Sequence, residues 1–339
     1  MIRVALIGFG YAGRVFHAPL IQATSGLHLT LVGSSRPDDV RAALPGVAVL
    51  PSEQALLHPD VDLVVIATPN DTHAPLARQA LLAGKDVVID KPFALDLAEA
   101  QGVAELAAQQ KRLLSVFHNR RWDSDFLAVK TAIDEGLLGE VVHFESHIDR
   151  YRPQVRERWR ESAVPGGGVW FDLGPHLVDQ TLQLFGQPCA VSAQLARQRA
   201  GAQAVDWAHV LLDYGQRRVV LHASMLVAGG SSRFTVHGSR GSLVKHSADI
   251  QERQLLAGLL PGEAEWGVDE EPARFYDGSD GSVHELAVPR GCQQAYYEQL
   301  RDALLGKCAN PVLPEQALAV MRVIEAAQQS AEQERVIVL

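Results

Sequence analysis

Two hydrophobic patterns divide this chain. In its first third, short and nearly continuous apolar runs recur at Ile2 to Ile7, Leu27 to Val32, Val61 to Ala67, Asp86 to Asp90 and Leu113 to Phe117. Runs of that length, rich in Val and Ile, predict strands buried on both faces. Between them lie stretches that read as helices, including Arg14 to Thr24, Ala74 to Ala83 and Leu95 to Gln110. Strands joined by crossovers of that length predict a doubly wound parallel sheet over residues 1–121.

After residue 121 the period changes. A helix is expected from Ser124 to Glu135, ended by Gly136. Alternation then marks Val141 to Arg150, Val191 to Ala196, His209 to Tyr214, Arg218 to Leu226 and Arg233 to Gly238, with a Gly238-Ser239-Arg240-Gly241 turn into Ser242 to Lys245. Alternation predicts a large, mostly antiparallel, open sheet with one face on helices. Its other face is the expected contact of a homodimer or homotetramer. Leu255 to Ser282 is acidic and Gly/Pro-containing, so an irregular excursion is expected there, followed by helices at Gln293 to Leu305 and, after Pro314, Glu315 to Glu334. The expected fold class is α/β, with an α+β second domain over residues 122–339.

In doubly wound sheets, ligands bind beyond the carboxyl ends of the strands. The first such end is Gly8-Phe9-Gly10-Tyr11-Ala12-Gly13, a G-x-G-x-x-G between a strand and a helix, which is the setting of a Rossmann dinucleotide site. Glycines there permit a tight turn and close approach to a pyrophosphate, and the helix start stabilises its charge. The second strand ends in Gly33-Ser34-Ser35-Arg36, where an NAD site usually carries a carboxylate. Two hydroxyls and a guanidinium suit a 2′-phosphate, so NADP is expected, with NAD the alternative because Asp38 and Asp39 lie close. Further polar strand ends are Thr68-Pro69-Asn70-Asp71-Thr72-His73, Asp90-Lys91-Pro92 and His118-Asn119-Arg120-Arg121.

The second half offers its own candidate in Pro165 to Asp179, PGGGVWFDLGPHLVD. Pro175 suits a first helical position. His176 would then lie in the first turn, where the helix dipole favours a neutral imidazole, the form a general base needs. Asp172 precedes it and Asp179 follows it on a polar stripe with Gln180 and Gln183. Just upstream, Arg152, Arg156, Arg158 and Arg160 with Tyr151 and Trp159 form either a clamp for a hydroxylated or anionic substrate or a solvated loop of surface ion pairs.

Bulk properties narrow the role. A chain of 339 residues exceeds one compact core, and 47% hydrophobic with 21% charged residues is the balance of a soluble globular protein. A formal charge of −9 with no basic run excludes a nucleic-acid binder as the main role. Cys189, Cys292 and Cys308 are widely spaced and suggest neither disulfides nor a zinc site, so no metal is expected. No apolar run approaches transmembrane length and no signal-peptide pattern opens the chain, so a cytoplasmic protein is expected, with no membrane partner.

These features together resemble the Gfo/Idh/MocA oxidoreductase family along essentially the whole chain. The resemblance rests on the Gly8–Gly13 fingerprint, Thr68-Pro69-Asn70 with His73, Lys91-Pro92, and Gly167-Gly168-Val169-Trp170-Phe171-Asp172-Leu173-Gly174-Pro175-His176. The family's usual Glu-Lys-Pro is Asp90-Lys91-Pro92 here, which keeps the carboxylate. HNRRWDSDF at His118 to Phe126 and FESHIDRYRPQVRERWRE at Phe144 to Glu161 look like an NADP-dependent bacterial subgroup associated with scyllo-inositol dehydrogenases. The resemblance implies Lys91, Asp172 and His176 as catalytic residues. It implies a cofactor site of Gly8 to Gly13, Ser34 to Arg36, Thr68, Pro69, Asn70, His73, Asp90, Lys91 and Asn119. Substrate contacts would come from Lys91, Arg121, Arg152, Trp159, Asp172, His176 and Asp179.

The chemistry of these side chains agrees with that implication. A secondary alcohol must lose a hydride and a proton; His176 can take the proton, and the Lys91 cation can stabilise a developing alkoxide. The expected function is therefore NADP-dependent hydride transfer at a hydroxyl or ketone of a sugar or cyclitol. The alternatives are another substrate, such as a dihydrodiol or an aldose, and a non-catalytic NADP(H)-binding regulator.

Overall fold

A computed structural model describes residues 1–339, which divide into two compact units. Unit one holds Met1–Asn119, Gln251–Trp266 and Cys292–Leu318, and unit two the remainder. Both later segments return to unit one although they follow residue 121, and a buried aromatic cluster gives one physical reason. Tyr296 and Tyr297 are fully buried, with ring centroids 4.9 and 5.7 Å from that of Phe117.

Unit one is a six-stranded parallel sheet. Its strands are β1 (Ile2–Ile7), β2 (Leu27–Gly33), β3 (Ala48–Leu50), β4 (Leu63–Ile66), β5 (Asp86–Ile89) and β6 (Leu114–Val116). The order β3-β2-β1-β4-β5-β6 reverses direction at β1 and β4, the switch point beside which doubly wound folds bind dinucleotides. The apolar runs are continuous because the strands have no solvent face: Val4 to Ile7 and Leu63 to Ile66 are 0% exposed. Strand β3 escaped the sequence reading, since three residues, one exposed and two half-exposed, carry no period.

Unit two is built on a nine-stranded mixed sheet. Its strands are β7 (Val141–Asp149), β8 (Ala190–Ala196), β9 (Trp207–Tyr214), β10 (Arg217–Ser224), β11 (Phe234–Gly238), β12 (Gly241–Lys245), β13 (Ala273–Asp277), β14 (Val283–Leu286) and β15 (Ile337–Val338), in the order β14-β13-β12-β11-β7-β10-β9-β8-β15. All pairings are antiparallel except β7 with β10. The excursion expected over Leu255 to Ser282 is only partly irregular, because β13 forms a hairpin with β14 at one edge of the sheet. Along β7, Phe144 and Ser146 are fully buried, while His143, Glu145 and His147 stay half-exposed.

The helix Val169–Phe185 lies on the buried face of this sheet, against β7, β9 and β10. It starts two turns before the expected Pro175, which sits inside it. Gly168, at φ 92°, makes the turn into the helix, and its Val169 N–H reaches the Val205 carbonyl at 2.7 Å. An interior proline costs about 3 kcal/mol. Trp170, Leu173, Leu177 and Val178, each at most 2% exposed, gain about 1.5–3 kcal/mol apiece by burial, so packing outweighs the proline. Gly174 is required as well: a Cβ there would lie 2.8 Å from the Trp170 ring and 2.9 Å from Ile324. No helix is long and apolar enough to cross a membrane.

Candidate active site

The glycine fingerprint has the shape its pattern predicts. Gly8 is at φ 96°, and a Cβ there would lie 2.5 Å from the Ala67 carbonyl oxygen. A Cβ on Gly13 would lie 2.3 Å from the Gly8 carbonyl oxygen, so the helix packs directly on the turn. Gly10 differs, with nothing within 4 Å of where its Cβ would sit. That open space is where a dinucleotide's pyrophosphate would approach the backbone, and the residues present therefore fit the cofactor. Beside it, Phe9, Gly10, Tyr11, Arg14, Arg36 and Asp39 line an open pocket of ≈ 550 Å³.

Ser34, Ser35 and Arg36 follow β2 directly, and Arg36 lines that pocket. The Ser34 hydroxyl accepts from the Arg36 N–H at 3.0 Å, and the Arg36 guanidinium lies 3.4 Å from both the Phe9 carbonyl and the Asp39 carboxylate. Both Arg36 and Asp39 are largely exposed, so this ion pair contributes little and can open for a competing anion. Arg14 is a second guanidinium in the pocket that the sequence reading passed over. Its signal was its place directly after the fingerprint.

The loop after β4 turns through Asn70–Thr72 into the helix His73–Leu82. Thr72 donates to the Thr68 hydroxyl or the Pro69 carbonyl, both at 2.6 Å. His73 is buried, with its ring nitrogens 2.8 Å from the Pro92 carbonyl and 3.0 Å from the Thr68 carbonyl. It ties this loop to the segment after β5, where the Lys91–Pro92 peptide is cis. Asn119, also buried, opens the short turn Asn119–Trp122.

Asp90 anchors the segment that carries Lys91. Its carboxylate accepts from the Lys91 N–H at 2.9 Å and lies 3.7 Å from His17 Nε2. His17 Nδ1 is 2.6 Å from the Tyr297 hydroxyl, so a buried line of close contacts runs from Tyr297 through His17 to Asp90. His17 and Tyr297 were not singled out in the sequence, because nothing in their local pattern shows that they meet. Burial alone would raise the Asp90 pKa. The His17 imidazole close by outweighs it, with Lys91 and His73 adding to its effect, and the carboxyl is held at about 2. Since the folded value lies below the ordinary 3.8, the resulting stability is present above pH 4 and is lost as pH falls towards 2. It amounts to about 2 kcal/mol. Acid unfolding of Asp90→Asn followed by circular dichroism should lack that part of the wild-type transition.

In unit two, Asp172 falls in the first turn of the helix Val169–Phe185, where a carboxylate is favourable. Its partner is Arg160, at 3.4 Å. His176 lies two turns into this helix and is 6% exposed. The helix-end argument for its neutrality therefore fails, since the dipole's influence fades within the first turn. His176, Asp179 and Gln180 of the polar stripe are buried, Gln183 is half-buried, and Asp179 and Gln180 have charged partners. Asp179 accepts from Arg121 at 2.7, 3.0 and 3.2 Å, and Gln180 accepts from Arg233 at 2.6 Å and donates to the Arg120 carbonyl at 2.8 Å. Sequence reading treats Arg121 and Asp179 as separate substrate contacts; the structure pairs them.

The arginine-rich segment divides in two. Arg158 pairs with Glu161 at 2.7 Å, and the Arg160 guanidinium stacks 4.5 Å from the Trp159 ring centroid. Arg152 differs: partial burial first, then the charges of Arg150, Arg156 and Arg158, hold its pKa below the ordinary value against the pull of Asp172. A cation so placed favours an anionic or hydroxyl-rich neighbour.

Comparison with known proteins agrees with this architecture. Residues 2–118 match the Gfo/Idh/MocA model for an oxidoreductase family NAD-binding Rossmann fold, and residues 130–339 match that family's C-terminal alpha/beta domain. The chain is 50% identical to the uncharacterised oxidoreductase YdgJ of Escherichia coli K12, covering 98% of this chain and 96% of that protein. It is 36% identical to the scyllo-inositol 2-dehydrogenase (NADP(+)) IolW of Bacillus subtilis 168, covering 100% and 96%. A crystal structure from Klebsiella pneumoniae superposes with a TM-score of 0.94 at 56% identity, covering 100% and 95%. With both halves matched in order over nearly the whole length, the chain belongs to the Gfo/Idh/MocA oxidoreductase family.

Proposed function

We propose that the protein is an NADP-dependent dehydrogenase acting on a secondary hydroxyl, or the matching ketone, of a sugar or cyclitol, with scyllo-inositol and its 2-keto form as the leading pair. The observation that carries the reading is that Lys91, Asp172 and His176 are all present in a chain whose first unit holds a glycine cradle with open space at Gly10. The 36% identical relative IolW, a scyllo-inositol 2-dehydrogenase (NADP(+)), supports both substrate class and cofactor.

When bound, the nicotinamide supplies or accepts the hydride. This chain's residues would do the rest. Gly8 to Gly13 would hold the pyrophosphate, and Ser34, Ser35 and Arg36, with Arg14, would hold the 2′-phosphate. Thr68 to Asn70 and Asn119 would line the nicotinamide side, with His73 and Asp90 positioning their loops. The Lys91 ammonium donates a hydrogen bond to the reacting oxygen and stabilises negative charge on it. His176 takes the hydroxyl proton in oxidation and returns it in reduction. Asp172 orients the base, and Arg152 and Trp159 face the remaining hydroxyls. A non-catalytic regulator would need the cradle but not the three reacting groups together.

The test is a panel of polyols, cyclitols and their ketones, assayed in both directions with NADP(H) and NAD(H). Turnover of a cyclitol pair with NADP(H) at a higher kcat/KM than with NAD(H) is expected, and Arg36→Ala should erase most of that preference. Cofactor binding without turnover of any panel member would instead favour the regulator.

A further inference from the structure

The outward face of β7 carries His143, Glu145, His147 and Asp149 at alternate positions, the one-face spacing of a strand. Strand β10 runs parallel to β7 with His222 in register with His147, and β9 places His209 in register with His222. Four imidazoles and two carboxylates therefore share one region of the sheet of unit two.

Three of these groups converge. His147 Nδ1 lies 3.4 Å from one Asp149 carboxylate oxygen, and His222 Nε2 lies 3.7 Å from the other. The ligand atoms of the three residues all fall within 4.8 Å of one another. The Asp149 side chain is 2% exposed, and its Oδ1, like His147 Nδ1, is buried without a hydrogen-bond partner. Tetrahedral bonds of the length imidazole and carboxylate make to zinc set neighbouring ligand atoms about 3.4 Å apart. The 3.4 and 3.7 Å contacts are close to that value, and the two imidazoles approach within 4.8 Å.

The surrounding groups prepare these atoms as ligands. Glu145 lies 3.1 Å from His147 Nε2, and in the tautomer that donates this hydrogen bond Nδ1 presents its lone pair towards Asp149. The second oxygen of Glu145 is 2.8 Å from His143, which fixes the carboxylate in turn. His222 Nδ1 is engaged with His209 Nδ1 at 3.3 Å, leaving Nε2 to face Asp149. Asp149 Oδ2 accepts from Ser231 at 2.7 Å. Each converging group thus has an outer partner of the kind that orients metal ligands.

From this convergence we infer a divalent transition-metal site of His147, Asp149 and His222, of the class that takes zinc, with a position left for water or another ligand. Two neutral imidazoles and one carboxylate suit Zn²⁺ and Co²⁺ far better than Mg²⁺ or Ca²⁺, which prefer all-oxygen shells. The ion would bridge β7 and β10 across the only parallel seam of the sheet and act on stability, separately from hydride transfer.

The test uses full-length, tag-free protein stripped with EDTA. Equilibrium dialysis against Zn²⁺ should give one tight equivalent per chain, and Co²⁺ should produce visible d–d bands of a nitrogen/oxygen-ligated ion. His222→Gln and Asp149→Asn should each weaken Zn²⁺ at least ~10-fold, and Glu145→Gln about 10-fold through the outer partner. The melting temperature should rise with Zn²⁺ in the wild type and not in His222→Gln, while NADP-dependent turnover by His222→Gln stays unchanged. Zn²⁺ affinity equal in wild type and in His222→Gln with a native circular dichroism spectrum would overturn the assignment. Absence of Co²⁺ d–d bands in the wild type, which needs no variant to fold, would overturn it as well.

Discussion

Lys91→Ala is expected to lower kcat for the reduction of a keto-cyclitol by about 10³-fold, or about 4 kcal/mol of transition-state stabilisation. The size follows from the role. Negative charge on the reacting oxygen is greatest as hydride leaves or arrives, and an ammonium held beside it acts mainly on that state. Binding of NADPH, measured by quenching of protein fluorescence, should change little, because the glycine cradle and Ser34 to Arg36 are untouched. His176→Ala should lower kcat by a comparable ~10²–10⁴-fold and also remove the ionisation of the base from the pH profile of kcat/KM. If both variants keep wild-type turnover of the true substrate, the catalytic assignment is wrong. A loss of NADPH binding in Lys91→Ala would show instead that the lysine holds cofactor.

Arg121→Ala is expected to act first on stability. Arg121 and Asp179 are 9% and 3% exposed and joined by two arms of the guanidinium. Removing the cation strands a buried carboxylate, which typically costs about 3–5 kcal/mol. That should lower the melting temperature on the order of 10 °C. Asp179→Asn should recover part of the loss when combined with Arg121→Ala, since the stranded charge is then gone. A raised KM with an unchanged melting temperature would return Arg121 to the role of a direct substrate contact. The two predictions differ because Lys91 is proposed to meet charge that exists only during reaction, whereas Arg121 meets charge that is always present.

Much of the fold is legible in sequence because the two sheets bury different numbers of faces. Ile2 to Ile7 and Val61 to Ala67 read as continuous apolar runs since their strands have no solvent side, and β9 and β10 alternate since theirs do. The glycine fingerprint is equally local: Gly8 and Gly13 are needed by a turn their own neighbours close. What failed had its cause at long range. Pro175 reads as a helix start by local rule, yet burial of Trp170 and Leu173 carries the helix back to Val169. The strand β13 has only five residues, and its partner β14 is mostly exposed, so neither shows a clean period.

The candidate site follows the same division. Sequence alone determined the chemistry on offer: a dinucleotide cradle, a hydroxyl and guanidinium pair after β2, and one lysine, aspartate and histidine in family context. Those signals are legible because each lies within a few residues of chain. Only the tertiary structure decided who meets whom. It paired Asp179 with Arg121 and buried most of the polar stripe. It tied Asp90 to His17 and Tyr297, and it gathered His147, Asp149 and His222 from two strands. The physical reason is that such partners are brought together by sheet register and core packing, terms set by residues far apart in sequence, while turns and strand periods are set by neighbours.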